Sequence, residues 1–238
     1  MAYNSVRERD PLIDKETQRA LERRLTEFLG IALITCAILF SILIFTYSPT
    51  DPGPLSASDE PIHNVLGKTG AAIASPLILV IGWGSWSLVP ILLVWGVRFL
   101  LHIGSERAVG RLIFVPIAIA LSSVYAASIV PIDKWIHSFG MGGLFGDTIV
   151  GSLLAFFPLS PSNGILTITL VSLLLTSILN IFCAGFTGLE IKKIIGFLYK
   201  SSTVTYSILR VISVKITSSI GRKFLRGRKF LSKNSNSG

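Results

Sequence analysis

Four long apolar runs, at 29–47, 77–101, 112–130 and 165–186, alternate with shorter polar stretches along this chain. About 20 apolar residues in helical form cross a bilayer's hydrocarbon core, so the pattern predicts four transmembrane helices. Ahead of the first run, 14–28 reads as a charged helix. Asp14 stands at its N-cap, Glu16 in its first turn, and Leu21, Leu25 and Phe28 recur at helical spacing. Pro49, Pro52, Gly53 and Pro54 cannot continue a helix and predict a loop reaching Asn64. The second helix is expected to begin near Asn64, bend at Pro76 and be perturbed again at Pro90. The stretch 140–158 is short for a span and contains Asp147, so it is expected to re-enter the membrane or lie on its outer face. The fold class that follows is all-α: a polytopic membrane protein with a short re-entrant or interfacial helix.

Charge orients this arrangement. Arg7, Arg9, Lys15, Arg19, Arg23 and Arg24 precede the first run, and Arg98, near the end of the second run, with Arg107 and Arg111 marks the next turn. Eleven basic residues follow the fourth run, among them Lys192, Lys193, Lys215, Arg222, Lys223, Arg226, Arg228 and Lys229. Only Lys68 and Lys134 fall in the alternate loops. The positive-inside rule then predicts cytoplasmic termini. Three regions follow: a charged segment 1–28, a four-helix domain 29–186 and a basic tail 187–238. In the tail, Ile208, Ile212, Ile216, Ile220 and Phe224 recur every four residues among cations, a pattern expected to meet an anionic inner leaflet or, second, DNA. The first run is not a cleavable signal, because a long polar stretch precedes it and bulky residues follow it.

Small residues mark expected helix contacts. Gly67/Ala71 and Gly70/Ala74 are spaced four apart, as are Ala118, Ser122 and Ala126. Asn64, Gly67, Gly70 and Ala71, with Gly142, Gly143 and Gly146, form the candidate packing or partner surface.

Chemistry is sparse. Gly67-Lys68-Thr69 imitates the end of a phosphate loop, but Ile62 replaces the required first glycine. His63, His102 and His137 lie in separate loops and are expected to be solvated, as are Asp51, Asp59, Glu60 and Asp133. Cys36 and Cys183 are read as small apolar thiols. Arg98 is placed to snorkel from the second span. No catalytic residue, cofactor or metal site is expected. Asp147 alone supports a rival reading, a small transporter or channel subunit.

Several motifs together carry a resemblance. The first run ends Tyr47-Ser48-Pro49-Thr50-Asp51-Pro52; Asn64, Gly67, Gly70, Ala71, Gly82 and Pro90 follow; then comes Gly142-Gly143-Leu144-Phe145-Gly146. With four spans and inward termini, the chain resembles the N-terminal membrane domain of the FtsK/SpoIIIE DNA translocases, in an alphaproteobacterial style. The resemblance implies an inner-membrane anchor at the division septum that helps oligomerisation and contacts division proteins, with a linker and a hexameric motor normally following. Two departures stand out. No Walker motif precedes Gly238, so translocation by this chain alone is not expected and a separately encoded motor, or a remnant that has lost one, becomes an alternative. Ser75 also stands where members often carry an acid.

Overall fold

The structure is a computed structural model that describes residues 14–54, 58, 60–133, 135–157, 160–203, 205, 206 and 210. It is helical, and the chain divides into two compact units, Met1–Phe186 and Thr187–Gly238.

In the first unit, α1 (Lys15–Phe45) carries the charged segment and the first apolar run as one 31-residue rod. Asp14 occupies the N-cap without a side-chain capping bond. The second run is broken. α2 (Gly67–Ile81) stops at Gly82, whose φ of 59° lies in the left-handed region, and a 3-10 segment (Gly82–Ser87) leads into α3 (Leu88–Leu100). The expected bend at Pro76 does not end the helix, for Pro76 sits inside α2. Pro90 is the third residue of α3, in the first turn, where a helix has no backbone acceptor for that N–H in any case. The glycine, not either proline, interrupts the span.

The third run is also divided. α4 (Ala108–Leu112) and α5 (Val115–Ala127) meet at 55°. α6 (Gly143–Phe156) has 14 residues, about 21 Å of helix, short of a hydrocarbon core of about 30 Å. α7 (Pro161–Cys183) returns as a long, little-buried rod. Among the described residues, three helical stretches are long and apolar enough to cross a membrane, or four if the bent pair is one span.

α1 packs chiefly against α3, and α5 against the 3-10 segment, α6 and α7. The α1–α3 contact is glycine-mediated. A Cβ on Gly30 would lie 2.7 Å from the Gly96 carbonyl, and one on Gly96 would lie 2.6 Å from Ile34. Two buried clusters result. Ile91, Trp95, Phe99, Ala108, Val115, Ala118 and Cys183 form one, and Leu43, Ile44, Ala74 and Ile78 form the other. Ala118, Ser122 and Ala126 are all buried, and Asn180 of α7 donates to Ser122 Oγ at 3.2 Å.

In the second unit the chain is helical over 188–203. Thr187 and Glu190 start that helix reciprocally: the Thr187 N–H donates to Glu190 Oε2 at 2.8 Å and the Glu190 N–H to Thr187 Oγ1 at 3.4 Å. Lys192 and Lys193 are exposed on it. The apolar repeat from Ile208 to Phe224, and Lys215, Arg222, Lys223, Arg226, Arg228 and Lys229, lie outside the described residues.

Candidate functional site

Three side-chain assemblies hold the first unit together, and the candidate surface residues fall into two of them. The first closes the loop between α1 and α2. Asp51 is 2% exposed and accepts the His63 N–H at 2.7 Å and the Asn64 N–H at 3.0 Å. Asn64, 4% exposed, donates through Nδ2 to the Leu43 carbonyl at 3.0 Å and accepts the Leu66 N–H at 3.0 Å. One carboxylate and one amide thus stitch the end of α1 to the start of α2.

This corrects the expectation that Asp51 is a solvated loop acid: it is the buried acceptor of two backbone donors 12 and 13 residues further along the chain. Glu60 and Asp133 are exposed as expected, whereas Asp59 lies outside the described residues. Removing the Asp51 carboxylate by Asp51→Ala strands both N–H groups. The expected loss is about 2 kcal/mol, read as earlier thermal unfolding of the detergent-purified protein, with wild-type stability as the contrary result.

Within the same assembly, Gly70 and Gly67 play different parts. Gly70, Ala71 and Ala74 are buried, and a Cβ on Gly70 would collide with the Asn64 side chain. Gly67 has a φ of 65° and nothing within 4 Å of a Cβ. It serves the left-handed turn into α2, so its expected place in a tight packing seam is not what this geometry gives it.

The second assembly brings distant glycines to one point. The Trp83 N–H donates to the Met141 carbonyl at 2.7 Å, and Ser123, fully buried on α5, donates to the Gly142 carbonyl at 2.5 Å. A Cβ on Gly82, Gly142 or Gly143 would meet backbone of a neighbouring element, and one on Gly146 would lie 2.5 Å from the Ser123 carbonyl. Gly82 and Gly143, both left-handed, face each other across this contact. Asp147, half-buried on α6, accepts the Gly140 N–H at 2.7 Å. Its carboxylate therefore secures the loop entering α6.

Beside it, His137 stacks on Tyr47 and Phe139 with centroids 5.7 and 4.6 Å apart, and meets the Trp135 ring edge-on. Burial lowers the His137 pKa below the ordinary imidazole value. His137 is therefore not a freely solvated loop histidine, whereas His63 is exposed as expected, with its Nδ1 3.3 Å from Asp51 Oδ1.

The third assembly caps the C-terminus of α7. Trp95, 1% exposed, donates through Nε1 to the Cys183 carbonyl at 2.7 Å. Arg111 Nη1 donates to the carbonyls of Phe182 and Phe186 at 3.0 and 2.9 Å, with its guanidinium 4.9 Å from the Phe182 ring centre. Gly185, at φ 83°, lets the chain pass directly over Trp95. Arg98 does not snorkel: it is 7% exposed, with its guanidinium 5.9 Å from Trp95 and 5.4 Å from Phe186 ring centres. Nothing in the sequence separated Trp95 from Trp83, yet Trp83 is 43% exposed. Among the described residues there is no group of three metal-binding side chains.

The profile of the 4TM region of DNA translocase FtsK/SpoIIIE matches residues 22–196, which includes all three assemblies. Proteins named DNA translocase FtsK are similar over that region. The one from Bradyrhizobium diazoefficiens is 30% identical over 133 residues, covering 56% of this chain and 16% of its own length. The Azospirillum brasilense protein is 25% identical, covering 66% and 25%, and the Caulobacter vibrioides protein 30% identical, covering 66% and 19%. The chain thus spans a quarter or less of these relatives. No solved structure matches it. With the match extending from the charged part of α1 to beyond α7, this chain belongs to the family of the 4TM membrane region of the FtsK/SpoIIIE DNA translocases.

Proposed function

We propose that this chain is the non-catalytic inner-membrane anchor of a DNA translocase acting in bacterial cell division and chromosome segregation. The single observation that carries the reading is the family match over 22–196, a stretch of apolar helices distinct from an ATPase motor. In this reading both termini are cytoplasmic, the domain is enriched at the septum, and it self-associates and recruits division proteins. The buried Asp51–Asn64–Gly70 latch and Gly82–Gly142–Gly143–Gly146 junction hold rigid the surface that such partners meet, with Gly67 shaping its edge. The basic tail meets the inner leaflet, with DNA as its second partner, and a motor is supplied by further chain or by a separate polypeptide. Flux through Asp147 is not retained, because that carboxylate holds the Gly140 N–H.

A fluorescent protein that matures only in the cytoplasm, fused after Gly238, tests orientation and address together. Bright midcell bands in dividing cells are expected. A dark fusion at normal protein levels would reverse the orientation, and an even bright outline would remove the septal role.

A further inference from the structure

The end of α1 that precedes its apolar run forms, with the turn after α3, a cleft of about 490 Å³. Arg19, Glu22, Arg23, Thr26, Leu101 and His102 line it. An adjoining hollow of about 480 Å³ on the same helix brings in Arg24 and Glu27. Three guanidiniums face two carboxylates, and both carboxylates are engaged. Gln18 donates to Glu22 at 3.1 Å, while Glu27 takes Arg24 at 2.9 Å and Arg23 at 3.4 Å. Each guanidinium carries five donors in a planar fork, so most of these N–H groups remain available to a further anion.

Depth and surroundings say which anion. α1 rises about 1.5 Å per residue, which places Arg23 and Arg24 about 8–9 Å before Leu29, where the apolar run begins, and Arg19 about 15 Å before it. The headgroup layer of one leaflet is about 5–8 Å thick, within reach of arginine side chains from these positions. On the opposite side of the same turns, Leu21, Leu25 and Phe28 are exposed, Phe28 by 70%. A basic face backed by an apolar face, continuous with a span, fits a membrane boundary and not open water. His102 closes the cleft from a left-handed backbone conformation (φ 55°), rare for a residue with a side chain, that sets its Nε2 3.8 Å from Glu27.

We propose that this cleft holds the phosphate of an anionic membrane lipid, gripped by Arg19 and Arg23 and flanked by Leu101. None of its lining residues belongs to the three assemblies described above.

The full chain, reconstituted in phosphatidylcholine vesicles with 5 mol% phosphatidylglycerol and a trace of photoactivatable phosphatidylglycerol (about one headgroup in several hundred), tests it by peptide mapping of the crosslinks. Labelling of the peptides containing residues 19–24 and 101–103 is expected. At about fivefold per cation near the surface, the Arg19→Gln, Arg23→Gln variant lowers it about 25-fold and leaves tail labelling unchanged. Both side chains are exposed, so the variant keeps the wild-type fold, checked by its gel-filtration profile and helical circular dichroism. The lysine pair restores most of the labelling.

Four results overturn the proposal: equal labelling by a photoactivatable phosphatidylcholine, no change in the glutamine variant, loss of labelling to millimolar glycerol phosphate, which marks a free-anion site, or protection of these peptides by duplex DNA. The vesicles present the same lipid on both faces, so the outcome does not depend on the orientation put forward above.

Discussion

Gly82→Ala is expected to destabilise the domain by about 3 kcal/mol. Two effects combine. A side chain at φ 59° costs about 1–2 kcal/mol, and its Cβ would press on the Met141 carbonyl and on Gly142 and Gly143 backbone. Overpacking against backbone costs about 1–3 kcal/mol, because no flexible side chain can swing aside. Thermal unfolding in detergent measures the loss. Gly151→Ala is the matched control: it lies within α6 and a Cβ there meets nothing within 4 Å. That change is expected to be neutral or slightly stabilising. Equal melting of the two variants would dismiss the junction as a determinant of the fold.

Trp95→Ala carries the second large effect, about 3–5 kcal/mol for emptying the space of a buried tryptophan. Part of it is the lost donor to the Cys183 carbonyl. Trp95→Phe separates the contributions, since it keeps an aromatic ring and removes the N–H, at about 1 kcal/mol. The ordering alanine, phenylalanine, wild type in rising melting temperature is expected. An alanine variant within 1 kcal/mol of wild type would mean that the α3–α7 contact contributes little.

The long apolar helices were legible because hydrophobic length is a direct consequence of bilayer thickness: α1 ends within two residues of the run at 29–47, and α7 lies within four residues of both ends of 165–186. The shortness of 140–158 likewise translates into the 14-residue α6. Where the runs break was harder to read. Pro76 and Pro90 draw attention as helix breakers, yet one is accommodated and the other sits in a first turn. Gly82 decides the break through its backbone conformation, which depends on an approach from residues 141–143 far along the chain.

Within a continuously apolar run, polarity also stops distinguishing inside from outside. Buried Trp95 and exposed Trp83 therefore look alike, and the Gly30–Gly96 crossing went unmarked among leucines and isoleucines. Asp51 misled for a related reason. Its loop is acidic and proline-rich, but the partner donors that bury it belong to the backbone, which composition does not record. The Thr187-to-Glu190 capping pair, by contrast, was present in the sequence as a spaced motif and needed only to be looked for.

The cap over the last turn of α7 has a mechanical meaning. Any pull on the polypeptide continuing past Phe186 would fall on carbonyls already tied to α3 through Trp95 and to α4 through Arg111. Tension entering there would have to shear several bonds at once before the rod could unravel residue by residue. The end of the rod would then yield as a block and not turn by turn.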